Sequence, residues 1–503
     1  MLPWRRFPLF LHMTALMGAA MWAPMLHAAY LGDWATGRLF LYLSCLLLTG
    51  CVVVGLALAN RAERMTARGQ LVTLVASLVM VPMLLAVPFP LRMPATAWSD
   101  AYFEMVSAIT TTGATIYTEP QALPPSLHLW RGIVGWLGGY LTLIAAFAVM
   151  APLDIGGFEI TRAVQGRTAA TTRSLERGVD LQLRLFRVIS TITRPYLALT
   201  LLLIVAMLIA GMDGLTAVMT GMAVLSTSGI VASAGFVAEQ GGFMAEVLIA
   251  AFLVISTTAL VYDPSRRRSL PRISADPELR LVTALLIVIP GVLMLRHFIE
   301  VLELEAMSGF VPGLQALWGA LFTVLSAIAT FGHESLFWDT AQNWSGLSTP
   351  GLLLLALAAM GGGVASTAGG VKLLRIYALY KHGVREMERL TLPNSLGGYG
   401  ATQRRIRREG AFIAWVFLML FLLSIAMTMM VLSLFGLALV DALTLGILML
   451  ANAGAGLDLI SDTTLRIPDL GSGAQLTLAA AMIVGRLEVL AVIALFHPVF
   501  WRR

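Results

Sequence analysis

Ten stretches of this chain stay apolar for roughly the length a helix needs to cross a lipid bilayer, about 20 residues. They run near Phe7–Ala29, Leu39–Asn60, Gln70–Val87, Trp130–Pro152, Arg194–Gly211, Gly242–Tyr262, Leu279–Leu295, Pro350–Leu374, Gly410–Gly436 and Gly473–Phe500. Inside hydrocarbon every backbone N–H and C=O must find a partner within the protein, so such runs become helices. Composition agrees: 58% of the 503 residues are hydrophobic and 12% are charged, where a soluble domain carries about a quarter. A water-facing surface cannot be made from so little charge, which excludes a soluble enzyme and a disordered chain. The expected fold is an all-α polytopic membrane protein. Cys45 and Cys51 share one apolar run and read as small packing residues, and the histidines show no metal-ligand spacing.

The charges between the runs fix an orientation. The N-terminus, Arg61–Arg68, Asp154–Arg194, Asp263–Arg280, Lys372–Glu409 and the C-terminus together hold 28 of the 34 Lys/Arg and 11 of the 28 Asp/Glu. The opposite side holds five Arg (Arg38, Arg92, Arg131, Arg296, Arg466) and 16 acids. The Lys/Arg bias places both termini in the cytoplasm and leaves an acidic outer face that concentrates cations. The net charge of +6 therefore reports basic inner loops and not nucleic-acid binding. The start, Trp4-Arg5-Arg6 before an apolar run, has the look of a signal peptide, but the run is long enough to span.

A short motif recurs four times. Ser107-Ala108-Ile109-Thr110-Thr111-Thr112-Gly113 matches Ser326-Ala327-Ile328-Ala329-Thr330-Phe331-Gly332 at five of seven positions. Ala223–Gly229, ending Thr227-Ser228-Gly229, is a weaker copy, and Ile447-Leu448-Met449-Leu450-Ala451 leading to Asn452-Ala453-Gly454 is weaker still. The glycines at 113, 229, 332 and 454 are 116, 103 and 122 residues apart. Each copy follows a span and a segment of 10–17 residues that is too short to cross (Trp98–Thr111, Gly214–Ser226, Gly313–Ala329, Asp441–Leu450), and each precedes another span. All four loops fall on the acidic side, so the repeats are parallel. Irregular backbone at membrane depth survives where it lines a cavity or is buried in protein, and a ring of carbonyls and hydroxyls can replace the water shell of an alkali cation. Half-helices ending at such a ring turn the negative ends of their dipoles toward the ion. Four parallel span–half-helix–loop–span repeats around a central pore, plus two extra N-terminal spans, follow. The divisions are 1–66 for the N-terminal helix pair, then pore repeats at 67–165, 183–265, 274–382 and 408–503.

With these motifs on hand, the chain resembles the membrane subunit of bacterial Trk-type potassium uptake systems, within the Trk/Ktr/HKT superfamily. The resemblance rests on Thr110-Thr111-Thr112-Gly113-Ala114-Thr115, on Gly361-Gly362-Gly363-Val364-Ala365-Ser366-Thr367-Ala368-Gly369-Gly370-Val371-Lys372, and on Gly485-Arg486-Leu487-Glu488 with His497-Pro498-Val499-Phe500-Trp501-Arg502. It covers essentially the whole chain. It implies potassium uptake across the bacterial inner membrane, with ion ligands at Thr111, Thr112 and Gly113; Thr227, Ser228 and Gly229; Thr330, Phe331 and Gly332; and Asn452, Ala453 and Gly454. Glycine at all four positions goes with potassium in that superfamily, and serine at the first goes with sodium permeation. Phe331 replaces the usual small or hydroxyl residue before the third glycine, His333 follows where an aromatic or small residue is common, and Ala451 and Ala453 remove hydroxyls from the fourth loop, which puts selectivity in doubt. The resemblance further implies a homodimer with one pore per copy and a peripheral cytoplasmic nucleotide-binding ring. No cofactor is expected on this chain, whose transported ion is K+, and lipid is its surroundings.

Two features below the loops point to a gate. Arg486 stands about 11 residues, roughly 16 Å, into the last span, where a charge costs about 2.5–3.5 kcal/mol on insertion scales. Pairing with Glu488 is disfavoured because residues two apart on a helix face differently, so Arg486 reads as a pore residue. Gly361, Gly362, Gly363, Gly369 and Gly370, with Ser366 and Thr367, interrupt an apolar run. Polyglycine is a poor helix former, so the stretch reads as a non-helical loop that gates by moving, with Lys372 adding positive charge. Two other classes compete. An intramembrane enzyme could use Ser228 or Ser366, but no histidine lies in a neighbouring span at matching depth. An alternating-access solute transporter usually carries inverted repeats, and these repeats are parallel.

Overall fold

The computed structural model describes residues 9–58, 67–117, 122–151, 158, 181–232, 240–258, 261–262, 276–300, 310–346, 349–391, 401–461 and 466–489. The Trp4-Arg5-Arg6 start, most of the inner loop before Leu181, Arg266-Arg267-Arg268 and the chain beyond Val489, including His497–Arg502, lie outside the described residues. The described residues are helical, with no strand among them. Among the described residues seven helices are long and apolar enough to cross a membrane: Trp34–Leu58, Leu71–Arg92, Pro125–Met150, Leu185–Ile209, Pro277–Arg296, Phe310–Ile328 and Gly410–Leu434.

The first apolar run is bent into two helices, Leu9–Ala20 and Trp22–Tyr30. Pro24 supplies no N–H to the carbonyl of Ala20, which opens the ladder at that turn. The bent pair packs on Trp34–Leu58: Ser44 Oγ donates to the Gly18 carbonyl at 2.7 Å. It also reaches the first pore repeat, where His27 Nδ1 lies 3.0 Å from Ser126 Oγ.

Four units follow in chain order. The first comprises Ala67–Ala86, the half-helix Trp98–Ile109 and the span Pro125–Ala145, which continues as a π-turn over Ala146–Met150. The second comprises Leu181–Ile209, the half-helix Gly214–Ser226 and Gly242–Ser256. The third comprises Pro277–Glu300, Phe310–Ile328, a short helix Trp338–Ser345 and Gly351–Met360. The fourth comprises Ala401–Leu434, the half-helix Leu439–Leu450, a 3-10 turn over Gly454–Gly456 and Ser472–Leu487.

Three half-helices have 12 or 13 residues, about 18–20 Å at 1.5 Å per residue, and fall short of a hydrocarbon layer about 30 Å thick. The third corrects the reading from sequence. It has 19 residues and could cross by length. Its added N-terminal turns leave Phe310 and Val311 exposed, while its C-terminal half, Ala320 and Phe322–Ile328, is buried like the other three. The Pro350–Leu374 run is not one span either. Its helix stops at Met360, and residues 361–372 are non-helical before Leu373–Thr391 begins.

Glycine sets how closely these pieces approach. A side chain at Gly138, on the first repeat's second span, would strike the carbonyl of Ile109 at the end of that repeat's half-helix. Gly485 meets the carbonyl of Leu450 in the same way in the fourth repeat. Association in lipid rests on such close packing and not on expulsion of water.

Candidate functional site

The four half-helices end in one and the same turn. The N–H of Thr111 donates to the Ala108 carbonyl and that of Thr112 to the Ser107 carbonyl, both at 2.9 Å. Thr227 and Ser228 bond back to Val224 and Ala223, Thr330 and Phe331 to Ala327 and Ser326, and Asn452 and Ala453 to Met449 and Leu448. This is the 6→1, 5→2 pattern of a Schellman cap, whose pivotal residue is left-handed and usually glycine. Here it is Thr111, Thr227, Thr330 and Asn452, with φ of 55°, 52°, 54° and 51°. A β-branched residue at positive φ is an outlier that the surroundings must enforce. Three of the four chosen residues are threonines, so the strain recurs by position.

Two residues on stand the glycines. Gly113, Gly229 and Gly332 have φ of 74°, 63° and 79°. Gly454 does not: it opens the 3-10 turn over Gly454–Gly456, so its need for glycine is one of space. All four are hemmed in by the next loop. A side chain at Gly113 would strike the Ser228 carbonyl, at Gly229 the Phe331 carbonyl, at Gly332 the Gly456 amide, and at Gly454 the Thr112 methyl. The contacts therefore run from the first loop to the second, third and fourth and back to the first, which closes a ring. Hydrogen bonds tie it further: Ala455 N–H donates to the Thr112 carbonyl at 2.9 Å, Asn452 Nδ2 to Thr112 Oγ1 at 2.9 Å, and His333 Nε2 lies 2.9 Å from the Gly229 carbonyl.

Phe331 is fully buried in an apolar cluster that includes Leu225, Val231 and Phe322 of the second and third units, and its ring centre lies 4.8 Å from that of His333. Its bulk is accommodated there, while its carbonyl meets the Gly229 turn. Ala453 is buried as well. Thr111 Oγ1 and Asn452 Oδ1 are buried without a hydrogen-bond partner.

The glycine-rich segment forms a strap beneath the ring. Gly361, Ala365, Gly370 and Lys372 have positive φ. The strap folds on itself, with Leu373 N–H donating to the Gly362 carbonyl at 3.0 Å, and Gly361 packs against the Gly369 carbonyl with no room for a side chain. It touches every repeat. Thr367 Oγ1 donates to the Leu225 carbonyl of the second at 3.2 Å. Gly369 N–H donates to Thr330 Oγ1 of the third at 3.0 Å. Gly369 also abuts the Ala451 carbonyl of the fourth. The first is reached through Arg486, whose Nη1 donates to the Thr367 carbonyl and Nε to Thr142 Oγ1, both at 2.8 Å. On its far side the strap hangs from Glu278, which accepts from Val364 N–H at 2.8 Å, and from the Thr257 carbonyl, which accepts from Gly363 N–H at 2.8 Å.

Arg486 is buried, and its Nη2 has no hydrogen-bond partner. It does not pair with Glu488, which instead binds Arg375 Nη2 at 2.6 Å. Arg375 is itself fully buried, 3.6 Å from the Phe417 ring centre. Neither partner of that pair stood out in sequence as such. Lys372 Nζ donates to the Ala368 carbonyl. Thr142, Ser366, Gly369, Lys372, Asn452 and Arg486 line a cavity of about 30 Å³ under the ring, room for about two waters. The π-turn contributes Ala146 and Met150 to its wall. Such turns are frequent at functional sites, and nothing in the apolar sequence there marks one.

Parallel units around a ring of re-entrant loops define a polytopic transport protein. The chain belongs to the TrkH family of cation transport proteins, which matches residues 46–256 and 316–502; its role is transport and not catalysis. It is 28% identical over 406 residues to the Trk system potassium uptake protein TrkH of Escherichia coli K12, covering 80% of each chain. It is 28% identical over 435 residues to TrkI of Halomonas elongata, covering 83% of this chain and 81% of that one. Its fold matches the crystal structure of the potassium transporter TrkH from Vibrio parahaemolyticus with a TM-score of 0.79, at 24% identity and over 99% of both chains.

Proposed function

We propose that this chain takes up potassium across the bacterial inner membrane, both termini cytoplasmic, through a filter made by the four loops. The ligands are Thr111, Thr112 and Gly113; Thr227, Ser228 and Gly229; Thr330, Phe331 and Gly332; and Asn452, Ala453 and Gly454. The observation that carries this reading is the fourfold cap with its left-handed pivot. Repeating one strained turn at the ends of four half-helices brings four sets of backbone groups to one axis, as desolvating a monovalent cation requires. The names of the relatives, potassium uptake proteins, support the choice of ion.

The strap and Arg486 gate this path. The guanidinium stands at the edge of the cavity under the ring and repels a cation in a medium of low dielectric constant. Opening draws the strap from Leu225, Thr330 and Ala451 and swings Arg486 aside. A peripheral cytoplasmic nucleotide-binding ring supplies the work, and the chain acts as a homodimer with one pore per copy. The pore repeats are 67–165, 183–265, 274–382 and 408–503, after the helix pair 1–66. The test is K+ and Na+ flux into liposomes holding the purified chain and, separately, the chain with its ring. Potassium-selective flux that rises with the ring supports the reading. Flux without preference for K+ over Na+ refutes the filter.

A further inference from the structure

Behind the first two loops lies a buried polar chain that the filter and gate do not use. Glu104, on the first half-helix, is 1% exposed. Its Oε2 accepts from the Ile116 N–H at 3.0 Å and from Thr115 Oγ1 at 3.2 Å, just beyond Gly113. Its Oε1 pairs with Arg131 Nη2 at 2.5 Å. Arg131 Nη1 lies 3.2 Å from His128 Nδ1, and His128 Nε2 lies 2.8 Å from the Val231 carbonyl, two residues beyond Gly229. Arg131 and the Val231 carbonyl impose a single tautomer on His128. The guanidinium can only donate, so Nδ1 accepts; the carbonyl can only accept, so Nε2 carries the hydrogen.

We propose that Glu104, Arg131 and His128 are positioning residues that fix the outer ends of the first and second loops relative to each other and thereby set ion selectivity. This inference rests on the four-loop filter proposed above. This relay joins the outer end of the first loop to that of the second across the boundary between their repeats. In the third loop Thr323, nine residues before Gly332 as Glu104 is before Gly113, accepts from Ser335 N–H at 3.3 Å through its hydroxyl. A neutral hydroxyl suffices to hold one loop. The carboxylate is needed where the brace runs on through a cation to a second loop. Burying this pair is costly and adds little net stability, which fits a device kept for geometry.

The test is uptake of K+ and Na+ by cells lacking their own potassium uptake and expressing the full chain, with folding checked by size exclusion of the purified protein. His128→Phe removes both hydrogen bonds and should raise the ratio of Na+ to K+ uptake about fivefold, the factor one net hydrogen bond represents. His128→Gln, whose amide can donate to Val231 and accept from Arg131, should return the ratio toward that of the parent. Glu104→Gln should shift the ratio in the same direction, and combining it with His128→Phe should add nothing, since one relay is broken once. Where His128→Phe does not fold, Thr115→Val, which removes the hydroxyl that donates to Glu104 and accepts from the Tyr117 N–H but leaves the Glu104–Arg131 pair, should give a smaller shift of the same sign. A folded His128→Phe or Thr115→Val with the parent ratio overturns the relay, as does His128→Gln behaving like His128→Phe. Gly113→Ser in the same assay separates the two ideas. If it too leaves the ratio unchanged, the filter reading fails; if it raises the ratio where the relay variants do not, only the relay fails.

Discussion

At the scale of single residues, the loops divide between positions that need a conformation and positions that need space. Gly113 needs both: φ is 74°, and the Ser228 carbonyl occupies the place of a side chain. Gly113→Ser should therefore push the second loop outward and weaken discrimination of K+ against Na+, read as growth of an uptake-deficient strain on low potassium with and without added sodium. Unchanged growth in both media would remove Gly113 from the filter. Phe331 behaves differently. From sequence its bulk at a ring position casts doubt on selectivity, but its ring is buried in an apolar cluster of the second and third units. Phe331→Ala should cost about 3–5 kcal/mol of stability, as a cavity left by a buried aromatic does. The thermal transition of the purified protein should drop, with a smaller change in ion preference than Gly113→Ser causes. A large loss of selectivity at unchanged stability would place the ring on the axis after all. The left-handed threonines were not legible beforehand, because threonine ranks among the residues least suited to positive φ. Only the closure of four loops on one another makes that conformation tolerable.

At the scale of elements, the proposed gate has the strap and the last span acting on one constriction. Arg486 holds the strap by the Thr367 carbonyl, so neutralising it removes both a repelling charge and a tether. Arg486→Ala should raise basal K+ flux in liposomes and reduce its dependence on a cytoplasmic ring. Deleting residues within Gly361–Gly370 should do the same, and the two changes together should add little. Strict additivity would indicate two separate barriers, and a folded Arg486→Ala with parental flux would exclude the arginine from the gate. Much of this level was readable in sequence, for a physical reason. Lipid forces each crossing to be long and apolar, so a glycine-rich break or a 12-residue helix stands out against uniform neighbours. What was not readable depends on partners far away in the chain. The third half-helix reached 19 residues because its start lies outside the buried ring, and the Arg375–Glu488 pair joins positions 113 residues apart.

For the whole molecule, the proposed orientation turns a few acidic groups near the ring to the outside. Glu334 is two residues past Gly332, and Asp458 is four past Gly454. Burial first, and then the charges of Asp339 and Asp458, raise the Glu334 carboxyl above its ordinary value of 4.5. Burial is the larger cause, and the two neighbouring carboxylates add to it; a cluster of like negative charges attracts cations to a pore mouth. The sign of the pH effect follows directly. A carboxyl with a raised pKa takes up its proton earlier as the outside becomes acidic. The mouth then loses one negative charge at a pH where an ordinary glutamate would still be ionised. Local K+ concentration falls, so half-maximal uptake should require more external potassium at acidic pH, with the maximal rate little changed because the ring is untouched. Glu334→Gln should show the weakened affinity at every pH and lose the acid-dependent part of the change. High ionic strength should shrink the difference between the two proteins, since exposed charges are screened over about 10 Å at 0.1 M salt. Rates of K+ uptake against external K+ at neutral and acidic pH would decide it: identical curves for parent and Glu334→Gln would mean that the ion reaches the ring without help from this mouth.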